Sequence, residues 1–135
     1  MNVSEREQSA AMENLLLLAR PLRRISRILA LLLLLWLIWL TLDGLLSFAS
    51  RTIGGIAAAA WAYAEWISGR LDLDRTIFGD VSAGKLTFAA LDEALGRSDR
   101  PIADRCVGAR RLLQQLFVAT IIMVGTFACA LEVSP

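Results

Sequence analysis

An uncharged run of leucines constrains this chain more than any other feature. Residues 28–42 read ILALLLLLWLIWLTL and carry no charged side chain. A helix built from this run is apolar on every side, and such a helix lies either deep inside a large protein or in lipid. The chain has only 135 residues, too few to bury the run in protein. The run therefore predicts a transmembrane helix and an integral membrane protein.

The flanks of the run predict where this helix ends. The turn-like pair Asp43-Gly44 follows it directly. Its 15 residues span about 22 Å as a helix, less than the ~30 Å hydrocarbon core of a bilayer. The helix must therefore extend beyond the run at one end. Residues 1–49 also have the outline of a signal peptide, but the long polar segment before the run and the two tryptophans within it favour a retained helix.

The N-terminal segment, residues 1–27, is predicted to be a basic amphipathic helix. Ser4 and Glu7 match the capping-box pattern of a helix start. Pro21 is expected to interrupt this helix or to begin the next one. Helical spacing places four arginines on one face: Arg20, Arg23, Arg24 and Arg27. They are candidate contacts for anionic lipid headgroups, and they also favour a cytoplasmic N-terminus.

Residues 52–68 form a second hydrophobic segment, rich in glycine and alanine. Small side chains at helical spacing let transmembrane helices approach closely. The candidate positions for packing against a partner helix are Gly54, Gly55, Ala58, Ala59 and Ala62. Three aromatic residues cluster near residue 65 as an interfacial belt would, and Glu65 among them is expected to reach headgroups or water. The segment either spans the bilayer, lies in its interface or packs as a soluble helix, with spanning preferred.

Residues 69–111 form the hydrophilic part of the chain, with eight basic and seven acidic side chains. We interpret Leu71–Lys85 as an irregular loop. A short amphipathic helix is predicted over Thr87–Leu95, with Gly96 just beyond its end.

The last segment, residues 112–135, contains a final candidate membrane helix. Leu112–Leu131 is about 20 residues long, enough to span, and Gln114 and Gln115 are its strongly polar members. Gly125 and Cys129 form a further pair of small residues one turn apart, and Gly125 is a candidate packing position.

Basic residues favour the cytoplasmic side of a membrane and so predict the topology. The arginines before residue 28 and the pair Arg110 and Arg111 are both cytoplasmic only if the chain crosses an even number of times between them. This favours three spans, with residues 28–68 as a hairpin. The alternative of two spans would leave nine basic residues, from Arg51 to Arg111, outside.

Composition and motifs give little support for catalysis. The chain has no histidine, the commonest general base and metal ligand. Gly79–Lys85 matches the start of a phosphate-binding loop, but Leu86 stands where Ser or Thr should hold magnesium. The net charge of +1 gives no general attraction to nucleic acid. We therefore expect no enzymatic activity, cofactor, metal or nucleic-acid partner.

The sequence thus predicts an all-α membrane protein with two or three transmembrane helices, an amphipathic N-terminal helix and a short charged helical loop. Its function is predicted to be that of an accessory or scaffold subunit, bound to lipid and to other membrane subunits through helix packing. The alternative is a protein that oligomerises with itself to form pores or shape membranes. A bacterial inner membrane is the preferred location, with an organellar membrane as the alternative.

Overall fold

The computed structural model describes residues 3–96 and 101–133, and this part of the chain is helical without any strand. The helices are α1 (Val3–Leu16), α2 (Ala19–Leu42), α3 (Phe48–Ser82), α4 (Phe88–Ala94) and α5 (Ile102–Val133). The all-α prediction is confirmed.

Two breaks predicted from the sequence lie at either end of α2. Pro21 is in the first turn of this helix, where proline has the right φ angle and needs no hydrogen-bond acceptor. Gly44 follows the last turn with φ +69°, a conformation that favours glycine. The amide of Leu45 then donates to the carbonyl of Leu40 at 2.9 Å, which satisfies one of the helix-end acceptors.

The interpretation of Leu71–Lys85 as an irregular loop is wrong, because α3 continues through it to Ser82. Leu71, Phe78 and Val81 recur at helical spacing, and each is at most 3% exposed. Gly84, with φ +72°, then ends the helix, and the amide of Lys85 donates to the carbonyl of Asp80 at 2.9 Å. The glycines and lysine that resemble a phosphate-binding loop therefore form a helix end.

The short helix predicted near residue 90 is confirmed as α4. The side chain of Thr87 caps its start by accepting from the amide of Ala90 at 3.3 Å. Gly96, with φ +62°, lies just beyond its end.

The helices divide into two compact units at the boundaries of residues 20/21, 68/69 and 114/115. We call residues 1–20 and 69–114 the polar module and residues 21–68 and 115–135 the apolar bundle. Helices α2, α3 and α5 each contribute residues to both units.

The polar module has a small core closed by an ion pair. Its buried apolar side chains are Met12, Leu16, Ala19, Leu71, Phe78, Val81, Phe88 and Ala109. Asp92 of α4 is 3% exposed and accepts a hydrogen bond from the guanidinium of Arg105 on α5. The same guanidinium stacks on Phe88, 4.8 Å from the ring centre.

The apolar bundle contains three helical segments, and the contacts define their directions. Along α2 from Arg27 to Leu37 the partners on α3 run backwards from Glu65 to Gly54, so these two helices are antiparallel. The hydroxyl of Ser26 on α2 lies 3.2 Å from the sulfur of Met123 on α5. About two turns further along both helices, Leu33 and Ala130 are buried in one cluster. Helices α2 and α5 are therefore parallel.

Two helical stretches are long and apolar enough to cross a membrane: Val3–Leu42 and Ile102–Val133. In their most apolar windows only 17% and 33% of the residues are buried. In the described part of the chain, α3 does not meet this criterion of length and composition.

Candidate functional site

A charged cluster joins α2 to α3 at one end of the apolar bundle. Arg27 donates from Nε to Oε1 of Glu65 at 2.7 Å and from Nη2 to Oε2 at 2.9 Å. Arg23, one turn earlier, donates from Nη2 to Oε2 of the same carboxylate at 3.2 Å. The Glu65 side chain is 23% exposed, so its charge is balanced mainly by these two arginines.

This cluster adds protein partners to the expectation for two of the four arginines and for Glu65. The carboxylate of Glu65 is bound to α2 while its side chain stays partly exposed, so its reaching headgroups or water remains a prediction. Arg23 and Arg27 contact Glu65, while Arg20 and Arg24 are exposed on α2.

The small residues of α3 divide between two faces. Gly54 faces α2, and a Cβ atom added there would lie 2.6 Å from Cδ1 of Leu37. Ala57, which the sequence did not single out, is 4% exposed and packs with Leu33 and Ala130. Part of the glycine and alanine pattern therefore packs the bundle itself, where close approach requires small side chains.

The remaining small residues form an exposed face of α3, which we call the outer ridge: Gly55, Ala59 and Ala62. A Cβ atom added at Gly55 would meet no atom within 4 Å. The exposed rings of Tyr63 and Trp66 stack near its end with centroids 6.0 Å apart. Gly125 on α5 is likewise exposed with open space around it.

A groove of about 540 Å³ lies between α2 and α3. Ala58, also exposed, lines this groove together with Gly54. Leu31 and Leu34 line it from α2, and the Arg27–Glu65 pair borders it. The groove exists because glycine and alanine leave the α3 side unfilled opposite long leucine side chains.

The Arg27–Glu65 pair was not predicted, although the sequence contains a signal for it. In an antiparallel hairpin, residues at equal distances from the turn lie opposite each other. Counting outward from the turn after Asp43-Gly44 places Glu65 opposite Ser26, between Arg23 and Arg27. The aromatic residues around Glu65 favoured an interfacial position and so obscured this pairing.

The described residues offer helix packing, ion pairing and an apolar groove as their chemistry. Within residues 3–96 and 101–133, no three His, Cys, Asp or Glu side chains are placed to hold a metal. Comparisons with protein-family models, curated proteins and solved structures found no match to this chain.

Proposed function

We propose that this chain is a three-span integral membrane protein that acts as an accessory or scaffold subunit, binding a transmembrane helix of a partner through the outer ridge. The observation that carries the proposal is the division of small residues on α3. One face is used inside the bundle, at Gly54, and the other, at Gly55, meets open space.

The directions of the helices support three spans. If α2 and α5 both cross a bilayer, their parallel arrangement requires the chain to return between them. Helix α3 runs antiparallel to α2 and packs closely on it at Gly54 and Ala57. Two spans would instead make α2 and α5 antiparallel.

The charged cluster makes a membrane position for α3 less costly. A lone carboxylate at membrane depth is expensive, and such residues pair with partners or face water. Glu65 has two arginine partners, both close to the basic end of α2. With Trp61 and Trp66 exposed on neighbouring turns, this level fits the cytoplasmic interface of the bilayer.

The surface of the bundle supports contact with lipid and with another helix. Long apolar side chains on α2 are exposed, including Leu31, Leu35 and Leu42 at 61%, 61% and 80%. Uniform leucine suits lipid and specifies no partner. The outer ridge differs because its small side chains let a second backbone approach, and van der Waals packing then stabilises the contact.

Purification of the tagged full chain in mild detergent tests this proposal. We expect a discrete complex containing a second membrane polypeptide in fixed ratio. Gly55→Leu should release that polypeptide, because the added side chain projects from the ridge. Ile56→Leu, on the next residue and also exposed, is the matched control and should retain it.

Two results would contradict the proposal. A monomer in every mild detergent would exclude a stable subunit role. A ladder of homo-oligomers that releases a dye from vesicles would instead support the pore-forming or membrane-shaping alternative.

A further inference from the structure

The groove between α2 and α3 changes from charged to apolar along one face of α2. Arg24, Arg27, Leu31 and Leu34 follow at spacings of three and four residues, so they share that face. The last three line the groove, and Arg24 is exposed in the turn before it. A molecule that follows this face from its N-terminal end meets guanidinium groups first and leucines afterwards.

The charge at the basic end is positive. Glu65 is the acidic residue that lines the groove, and its carboxylate is already bound by Arg23 and Arg27. Arg24 adds a further positive charge beside the pair. An anionic headgroup is therefore attracted to this end, and guanidinium groups suit phosphate oxygens in particular.

The size and lining of the groove suit a single hydrocarbon chain. The groove volume is about 540 Å³, within the range of small-molecule sites. Its walls are mainly leucine, alanine and glycine, so they suit an acyl chain.

We propose that the α2–α3 groove binds one anionic phospholipid, with an acyl chain along Leu31, Leu34 and Ala58 and the phosphate beside Arg24 and Arg27. This inference rests on the proposed insertion of the bundle into a membrane. It is independent of the partner helix, because the outer ridge of Gly55, Ala59 and Ala62 lies outside the groove lining.

Native mass spectrometry of the full chain in mild detergent tests the site. Phosphatidylglycerol and phosphatidylcholine with the same acyl chains are titrated separately, and inorganic phosphate is a third probe. We expect one phosphatidylglycerol per chain at a concentration where phosphatidylcholine binds less. Arg24→Gln should weaken phosphatidylglycerol binding about fivefold, as expected for one arginine at a membrane surface.

A filled groove provides the second test. Ala58→Phe should weaken binding of phosphatidylglycerol at least as much as Arg24→Gln does. Ala128→Phe, at an exposed position of α5 outside the groove lining, is the matched control and should bind like the unmodified chain.

Several outcomes would overturn the lipid site. These are equal binding of both lipids, unchanged binding to Ala58→Phe, or inorganic phosphate binding as tightly as phosphatidylglycerol. Extraction of cell membranes with carbonate tests membrane insertion separately from lipid binding. A chain that stays in the membrane pellet but binds no lipid refutes the groove alone, whereas a chain released by carbonate refutes membrane insertion.

Discussion

Glu65 on α3 and Arg27 on α2 form a two-pronged ion pair across the hairpin of the apolar bundle. The N···O distances are 2.7 and 2.9 Å, and the two residues are 38 positions apart in the chain. The pair fixes which turn of α3 faces the basic end of α2. It also places a carboxylate beside two arginines, a position that the hydrophobic pattern alone does not indicate.

A double-mutant cycle of Arg27→Gln and Glu65→Gln should give a favourable coupling free energy of about 0.5–1 kcal/mol, the upper range for partly exposed pairs. Unfolding in mixed detergent micelles measures it. Arg51→Gln combined with Glu65→Gln is the control, since Arg51 is exposed on α3 outside the cluster. Coupling equal to that of the control pair would show that the contact does not stabilise the hairpin.

The neighbouring glycines of α3 should respond differently to the same substitution. Gly54→Leu should lower the free energy of unfolding by about 1–3 kcal/mol, because the new side chain overlaps Leu37. Gly55→Leu should change it by less than about 0.5 kcal/mol, since the added atoms meet open space. Equal destabilisation by both would contradict the assignment of the two faces.

The buried ion pair of the polar module should be sensitive to removal of one partner. Arg105→Met removes a guanidinium from the Asp92 side chain, which is 4% exposed, and should cost about 3 kcal/mol. Adding Asp92→Leu should recover most of that loss, because the remaining charge is then removed. Thermal unfolding followed by circular dichroism measures the stability of both variants. If the double variant recovers no stability, the buried charge of Asp92 is not the cause of the loss in Arg105→Met.

Stability of the polar module should depend on pH through Asp74. Burial raises the pKa of the Asp74 carboxyl above its ordinary value, and Arg70 and Arg105 oppose this only in part. The ionised carboxylate therefore costs stability at pH values above its folded-state pKa, and the cost disappears below its unfolded-state pKa. Asp74→Asn should raise the thermal midpoint at pH 7, and this gain should shrink as the pH is lowered. Glu93→Gln, at an exposed site, is the control, and a gain independent of pH would contradict the assignment.

Much of the helix layout could be predicted because single residues mark the helix ends. Pro21, Gly44, Thr87 and Gly96 all act at the positions that their backbone preferences indicate. The continuation of α3 to Ser82 is hard to predict because charged residues there are as frequent as large apolar ones. Asp74 even lies within the inward stripe of Leu71 and Phe78, so the apolar periodicity is interrupted where the helix packs.

The candidate site was only partly predictable, because local patterns do not reveal which element covers a face. Gly54 and Gly55 look equivalent in the sequence, and only the packing of Leu37 separates them. Likewise, four arginines share one predicted face, but the position of Glu65 decides that two of them have a partner within the bundle.

The proposed arrangement has α2 and α5 crossing the bilayer in the same direction, with α3 returning between them. Labelling of single cysteines with a membrane-impermeant reagent tests it, in a chain carrying Cys106→Ala and Cys129→Ala and a C-terminal reporter. With three spans, Ser47→Cys is labelled from outside, Leu95→Cys is labelled only after the membrane is opened, and the C-terminal reporter is outside. If Leu95→Cys is labelled in intact cells and the C-terminal reporter lies in the cytoplasm, the three-span arrangement is contradicted and the chain has two spans.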